Sequence, residues 1–291
     1  MKRLPARLRL VADRDEPLLG LLLRRGGVSE ETARAAIDRG GAFLRGRRAR
    51  EPLAEVRSGD RVEVALAVPE EAALTRERIL HLDEVLLAVD KPPGIAAQED
   101  LAGSPALPAL CSALLREMGE KQTQALLVHR LDRGTSGVTA LARTRKAQAA
   151  LLHQFREHLV RKRYLALVAP APASDEGSVD AAIGGRPART RWRVVERYPG
   201  AALVEALPET GRTHQVRIHL ASLGSPLLGD RQHGGKALLT LPSGARHDFP
   251  RPMLHARSLG LRHPAGGDLL IEAPPPPDFP AAQRFLRPGA R

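Results

Sequence analysis

The run His129-Arg130-Leu131-Asp132-Arg133-Gly134-Thr135-Ser136-Gly137 stands between two short apolar stretches, Leu126-Leu127-Val128 and Val138-Thr139-Ala140-Leu141-Ala142. Short apolar runs on either side of a polar, glycine-containing break read as two strands joined by a turn. Such a turn puts Asp132 at the edge of a sheet, close in sequence to Arg130 and Arg133. Positive neighbours favour the ionised form of a carboxylate, which can then act as nucleophile, base or charge stabiliser. A salt-bridged surface turn is built from the same residues, so these nine alone leave both readings open.

The surrounding chain supplies material for a sheet. Val85 to Val89 is a continuous apolar run suited to a buried strand, and it leads into Asp90-Lys91-Pro92-Pro93-Gly94, a rigid turn that ends a ladder. Residues 102–108 read as loop, Ala109 to Glu117 as a short helix, and a longer helix runs through Leu151, Phe155 and Leu159. Val160, Lys162, Tyr164, Ala166 and Val168 occupy one parity of a strand, which places Lys162 and Tyr164 on one face. Strand patterns return at Thr190 to Val195 and at Leu203 to Leu207. A helix then starts near Thr213, with Val216, Leu220 and Leu223 at helical spacing and Gly224 as its stop.

Residues 1–68 form a separate pattern. Pro17 to Arg25 reads as a short apolar helix, and Ser29 caps a second helix whose inner face is Ala33, Ala36 and Ile37. The turn Ser58-Gly59-Asp60 feeds a strand with Val62, Val64, Leu66 and Val68 in alternation. Arg39, Arg45, Arg47, Arg48 and Arg50 crowd the region between helix and strand. The charged stretch 69–82 reads as a linker, and a second domain occupies 83–291.

Charge narrows the partners. Lys and Arg outnumber Asp and Glu 45 to 33 in 291 residues, a formal net charge of +12, which attracts polyanions and makes nucleic acid the first candidate. Aromatics are 3% of the chain, too few for a surface of stacking rings, so arginine must make most RNA contacts. The single cysteine, Cys111, excludes an intrachain disulfide and reads as a small buried residue. The start lacks an apolar signal core and no run is long enough to span a bilayer, so a cytoplasmic protein without a membrane partner is expected.

The second dense polar cluster is Thr210-Gly211-Arg212-Thr213-His214-Gln215-Val216-Arg217-Ile218-His219-Leu220. Arg212, after a glycine and at a helix start, is placed to reach a carboxylate or phosphate, although a structural salt bridge would look the same. His214 and His219, with His255 or His263 added, have no metal-ligand spacing, and no metal is expected. There is no Gly-x-Ser-x-Gly elbow for Ser136, no Walker loop and no dinucleotide fingerprint.

Taken in order, these segments resemble the RluA-type family of pseudouridine synthases over roughly residues 83–290. Lys91-Pro92-Pro93-Gly94 is similar to its first motif and His129 to Asp132 with Thr135-Ser136-Gly137 to its second. Val160 to Ala166 resembles the strand of the active-site tyrosine, and Gly211 to Leu220 with Gly224, Pro226, Gly229-Asp230 and Gly234-Gly235 the third motif. Leu254-His255-Ala256 and His263-Pro264 are similar to the closing strands, while His233 replaces a frequent tyrosine and Ile95 to Gln98 is an unusual continuation. Residues 1–68 resemble more loosely the alpha-L RNA-binding module of small-subunit ribosomal protein four.

The resemblance implies an α+β fold: a catalytic domain with a large mixed, mainly antiparallel sheet flanked by helices, plus a small α/β RNA-binding module. It implies conversion of uridine to pseudouridine in structured RNA, ribosomal RNA of the large subunit before transfer RNA, by a monomer without cofactor. Asp132 would be the essential residue, Arg212 its ion-pair partner and Tyr164 the ring stacked on uracil. Arg130 would fill the gap left by a flipped base, with Lys162, Thr135, His214 and Gln215 around the substrate. Arg39, Arg45, Arg47 and Arg48 would grip RNA phosphates. A non-catalytic RNA-binding factor of the same fold and a metal-dependent hydrolase stand as alternatives.

Overall fold

The computed structural model describes residues 7–38, 42–65, 74–98, 106–241 and 244–287. The chain divides into two compact units, Met1–Ala73 with Ile95–Leu110, and Leu74–Gly94 with Cys111–Arg291.

In the first unit, β1 (Arg7–Val11) pairs antiparallel with β6 (Arg61–Ala65), and the four-stranded sheet runs β1-β6-β3-β4 with β3 at Ala42–Leu44 and β4 at Arg47–Ala49. Strands β2 (Glu16–Pro17) and β5 (Glu55–Val56) form a small second ladder. Helix α1 (Leu18–Arg24) buries Leu18, Leu19, Leu21 and Leu22. Helix α2 (Glu30–Asp38) begins behind Ser29, whose Oγ accepts from the Thr32 amide at 3.2 Å. Its expected inner face of Ala33, Ala36 and Ile37 is fully buried with Val62 and Val64 of β6. Arg45 and Gly46, both at positive φ (52° and 76°), turn β3 into β4, and Arg45 Nε donates to Asp60 Oδ1 at 2.8 Å. Arg39 and the strand positions 66–68 lie outside the described residues, as do the side chains of Arg47 and Arg48.

The second unit is built on a ten-stranded sheet. Its strands are β7 (Ile79–Leu82), β8 (Leu86–Lys91), β9 (Leu126–Leu127), β10 (Ser136–Ala142), β11 (Arg161–Val168), β12 (Glu176–Asp180), β13 (Arg189–Tyr198), β14 (Ala201–Pro208), β17 (Leu254–Arg262) and β18 (Asp268–Glu272). A separate hairpin is made by β15 (Leu238–Thr240) and β16 (Arg246–Asp248). The order is β12-β13-β14-β11-β17-β10-β8-β7, with β18 on β17 and β9 on β10. Among these ladders only β10 with β17 is parallel, so the sheet is mixed and mainly antiparallel, as the resemblance implies. Every residue of β10 is buried, consistent with an apolar strand covered on both faces, whereas β13 alternates buried Thr190 and Trp192 with exposed arginines.

Helices α3 (Leu107–Glu117), α4 (Arg145–Arg156), α5 (Gln215–Ser222) and α6 (Asp278–Leu286) complete the chain. Thr144 caps α4 by accepting from the Ala147 amide at 3.1 Å. The helix stops before Leu159, which is exposed, so that position is not part of its inner face. Within the stretch read as linker, Ile79–Leu82 is strand β7, paired to β8. Cys111 is buried as expected, and burial pushes its thiol up to about 12. Among the described residues no helix is long and apolar enough to cross a membrane.

Candidate active site

The Asp132 turn is fixed from several sides. Gly137, the second residue of β10, lies at φ 113°, and a Cβ there would lie 2.2 Å from the Ala256 carbonyl oxygen, so only glycine lets β10 run this close to β17. Beside it, Ser136 Oγ and His255 Nδ1 lie 3.1 Å apart, and His255 Nε2 donates to the Ala273 carbonyl at 3.1 Å. Burial first, and the charges of Arg251 and Arg257, lower His255 to about 4, which keeps this ring neutral and structural.

The Lys91-Pro92-Pro93-Gly94 turn clamps the same segment. Arg133 Nε donates to the Gly94 carbonyl at 2.8 Å, and the Gly94 amide donates to the Arg133 carbonyl at 2.7 Å. Lys91 is fully buried, donates to the Pro92 carbonyl at 3.0 Å, and is lowered by desolvation to about 7. The first sequence motif therefore acts mechanically, by holding the carbonyl side of the Asp132 loop.

Asp132 lies in a cleft of about 470 Å³ and is its sole acidic lining residue among those described, in company with Arg130, Arg156, Lys162, Arg212 and Arg217. The arginine on Asp132 is Arg217, whose Nη1 donates to Asp132 Oδ2 at 3.1 Å. This corrects the expectation of Arg212, whose Nε donates instead to the Pro187 carbonyl at 3.0 Å. Helix α5 explains the difference. Arg212 precedes it, in the turn, while Arg217 sits inside it with a side chain only 7% exposed.

Arg217 is itself held by a bidentate pair to Asp230, both N···O distances being 2.7 Å, and by Gln232 Oε1 at 3.3 Å. Burial opposes its charge, but the Asp230 and Asp132 hydrogen bonds outweigh that and raise its pKa. Gly229, at φ 80° with a would-be Cβ 1.8 Å from the Arg251 carbonyl, delivers Asp230 to this pairing. The signal for Arg217 and Asp230 was present in the third motif, but linear sequence could not tell which arginine faced Asp132.

Gln215 was expected at the substrate, yet its amide is fully used within the protein. Oε1 accepts from Thr210 Oγ1 (2.7 Å) and the Arg212 amide (2.9 Å), while Nε2 donates to the Arg189 carbonyl (2.9 Å) and Thr190 Oγ1 (3.0 Å). An amide side chain offers about four such bonds, so Gln215 sets the Arg212 turn and presents no spare group. Lys162 likewise donates to the Thr210 carbonyl at 2.7 Å. Burial, then the charge of Arg212, lowers it to about 8.

His214 lies at φ 55° and its Nδ1 is 3.1 Å from His233 Nε2, while its Nε2 is 3.9 Å from Asp132 Oδ2. Burial lowers its pKa against the pull of Asp132, which favours a neutral ring and a dipolar contact rather than an ion pair. Thr135 is buried, and its amide closes the turn onto the Asp132 carbonyl at 3.0 Å. Arg130 is exposed and donates to Thr213 Oγ1, linking the two motifs across the cleft mouth. Tyr164 also lines the cleft, and burial, then the charge of Asp132, raises its phenol well above the usual range. His129 is structural: its Nε2 accepts from the Ala140 amide at 2.9 Å and its ring stacks on Phe155.

A carboxylate fixed by a buried arginine, in an otherwise basic cleft beside a neutral phenol, equips an enzyme for carboxylate chemistry on a polyanion. Residues 85–222 match the family model described as RNA pseudouridylate synthase, and the chain belongs to that family: it is an RNA pseudouridine synthase, an isomerase. It is 36% identical over 281 residues to "Ribosomal large subunit pseudouridine synthase D" of Xanthomonas campestris, covering 86% of this chain and 82% of that protein. With "Ribosomal large subunit pseudouridine synthase C" of Haemophilus ducreyi it shares 35% identity, covering 77% of this chain and 73% of that one. The solved structure titled "Human RNA Pseudouridylate Synthase Domain Containing 4" superposes with a TM-score of 0.60 at 25% identity, over 72% of this chain and 93% of that chain.

Proposed function

We propose that this chain isomerises uridine to pseudouridine in ribosomal RNA of the large subunit, as a cytoplasmic monomer, with Asp132 as the essential residue. The observation that carries the reading is the Asp132 carboxylate held 3.1 Å from Arg217 Nη1 in a basic cleft of about 470 Å³. The names of the relatives direct the choice of RNA.

The reaction breaks the bond from ribose C1′ to uracil N1, joins C1′ to C5 and releases the C5 proton, with no net redox change. A uridine inside folded RNA has to leave its stack first, and Arg130, exposed at the cleft mouth, fills the space it vacates. Asp132 then either attacks the sugar or ring or assists loss of a sugar proton, while the Arg217 hydrogen bond fixes its direction. Tyr164 stacks on the detached base. Lys162, Thr135, His214 and Gln215 keep the cleft walls in register through the bonds described above, and Arg212 faces the RNA backbone. Residues 1–68 serve as an RNA-binding module, Arg39, Arg45, Arg47 and Arg48 meeting phosphates.

The test is tritium release from large-subunit RNA labelled at uridine C5, followed by pseudouridine mapping in cells lacking the protein. Release in vitro and loss of a large-subunit site in cells are expected. Loss confined to transfer RNA would overturn the choice of substrate, and absence of release would overturn the activity.

The phenol of Tyr164 is held neutral at ordinary pH, so its ring should matter more than its hydroxyl. Tyr164→Phe should keep single-turnover tritium release within about tenfold of wild type, whereas Tyr164→Ala should lose ~10–100-fold, because base stacking is worth ~1–3 kcal/mol. A Phe variant as slow as the Ala variant would show that the hydroxyl takes part in proton transfer.

A further inference from the structure

We propose that His81, Asp83 and His263 form a binding site for a zinc-class divalent cation. The three lie in the second unit but none lines the Asp132 cleft, so the site is separate from the chemistry. His81 belongs to β7, Asp83 to the turn between β7 and β8, and His263 follows β17. Their ligand atoms lie within 4.8 Å of one another.

Asp83 is prepared for such a role. Its Oδ1 accepts the Val85 and Leu86 amides, each at 2.8 Å, and Arg143 Nη1 donates to its backbone carbonyl, so the carboxylate is fixed with Oδ2 turned to the histidines. Both imidazoles bring Nε2 to that one oxygen, His81 at 2.7 Å and His263 at 2.8 Å. The two contacts differ in kind. His81 makes a hydrogen bond, but His263 Nε2 is buried with no hydrogen-bond partner despite its short distance. A nitrogen aimed at a carboxylate outside hydrogen-bond geometry lacks what a ligated ion would supply.

Two imidazoles with one carboxylate suit zinc better than magnesium or calcium, which take all-oxygen sets. The partial exposure of all three residues leaves a fourth position to water. Zinc binds its ligands at roughly 2.0–2.1 Å, so the rings must draw back slightly from Oδ2. The proton of His263 must also sit on Nδ1, which opens the long 3.3 Å contact from the Ala265 amide. The bound ion would clip the β7–β8 turn to the end of β17, where β18 replaces β10 as the neighbour of β17 along Ser258–Arg262.

The test uses untagged, full-length protein freed of metal, titrated with zinc by calorimetry and by thermal unfolding, with cobalt as a visible-absorption probe. One zinc per chain, a melting temperature raised by several degrees and a cobalt spectrum of low coordination number are expected. Magnesium should give none of these. His81→Gln combined with His263→Gln should abolish zinc binding while the metal-free melting temperature stays near wild type. Should that pair fail to fold, single His263→Gln must change the cobalt spectrum and weaken zinc at least tenfold. Equal zinc affinity in wild type and variant, or no rise in melting temperature, overturns the site.

Discussion

Asp132→Asn should abolish tritium release, by roughly 10⁴-fold or more, since losing a residue central to the chemistry costs on that scale. The substitution preserves size and keeps an acceptor for Arg217 Nη1, now 3.1 Å from Oδ2. It removes only the charge that can attack carbon or draw a proton. Stability should hardly change, because Arg217 keeps its bidentate pair with Asp230 and the turn keeps its Thr135 to Asp132 backbone bond. RNA affinity should hold or rise slightly, as the one acidic group leaves a cleft whose other charged lining residues, among those described, are arginine and lysine. Measured together, the melting temperature, RNA affinity and single-turnover rate distinguish chemistry from folding. Normal turnover by the purified Asn variant would remove Asp132 from the mechanism.

How much of this was legible before the fold was known depends on the range of the interactions. Helix α2 with its Ser29 cap, the strand carrying Lys162 and Tyr164, and the turn holding Asp132 rest on periodicity and local capping, which adjacent residues record. The partner of Asp132 does not. Arg212 and Arg217 are five residues apart on a segment that passes from turn to helix, and the helix starts at Gln215 rather than Thr213. Only the tertiary fold shows that Arg217, and not Arg212, reaches Asp132. The clamp by Lys91 and Gly94 and the approach of His263 to Asp83 are likewise products of sheet order, in which β17 lies between β11 and β10. Nothing local in Asp83 distinguishes it from an ordinary turn carboxylate.

The largest combined loss of stability and activity should come from Arg217→Leu, which strands Asp230, a residue whose side chain is 1% exposed. Breaking one side of a buried ion pair costs about 3–5 kcal/mol, which in a chain of this size corresponds to a melting temperature lower by roughly 10 °C. Turnover should fall together with stability, so this variant alone cannot separate positioning from folding. The double variant Arg217→Leu with Asp230→Leu can. Replacing both members by apolar side chains leaves no buried charge unpaired and should restore most of the lost stability. Asp132 would still lack its guanidinium, and turnover should stay down by roughly 10²–10³-fold, the usual effect of deleting one preorganised electrostatic contact. Arg212→Ala supplies the contrast: with its Nε on the Pro187 carbonyl it should weaken RNA binding and leave the rate at saturating RNA within about tenfold. Wild-type turnover from the double variant, or an Arg212→Ala rate as low as that of Arg217→Leu, would return the role at Asp132 to Arg212.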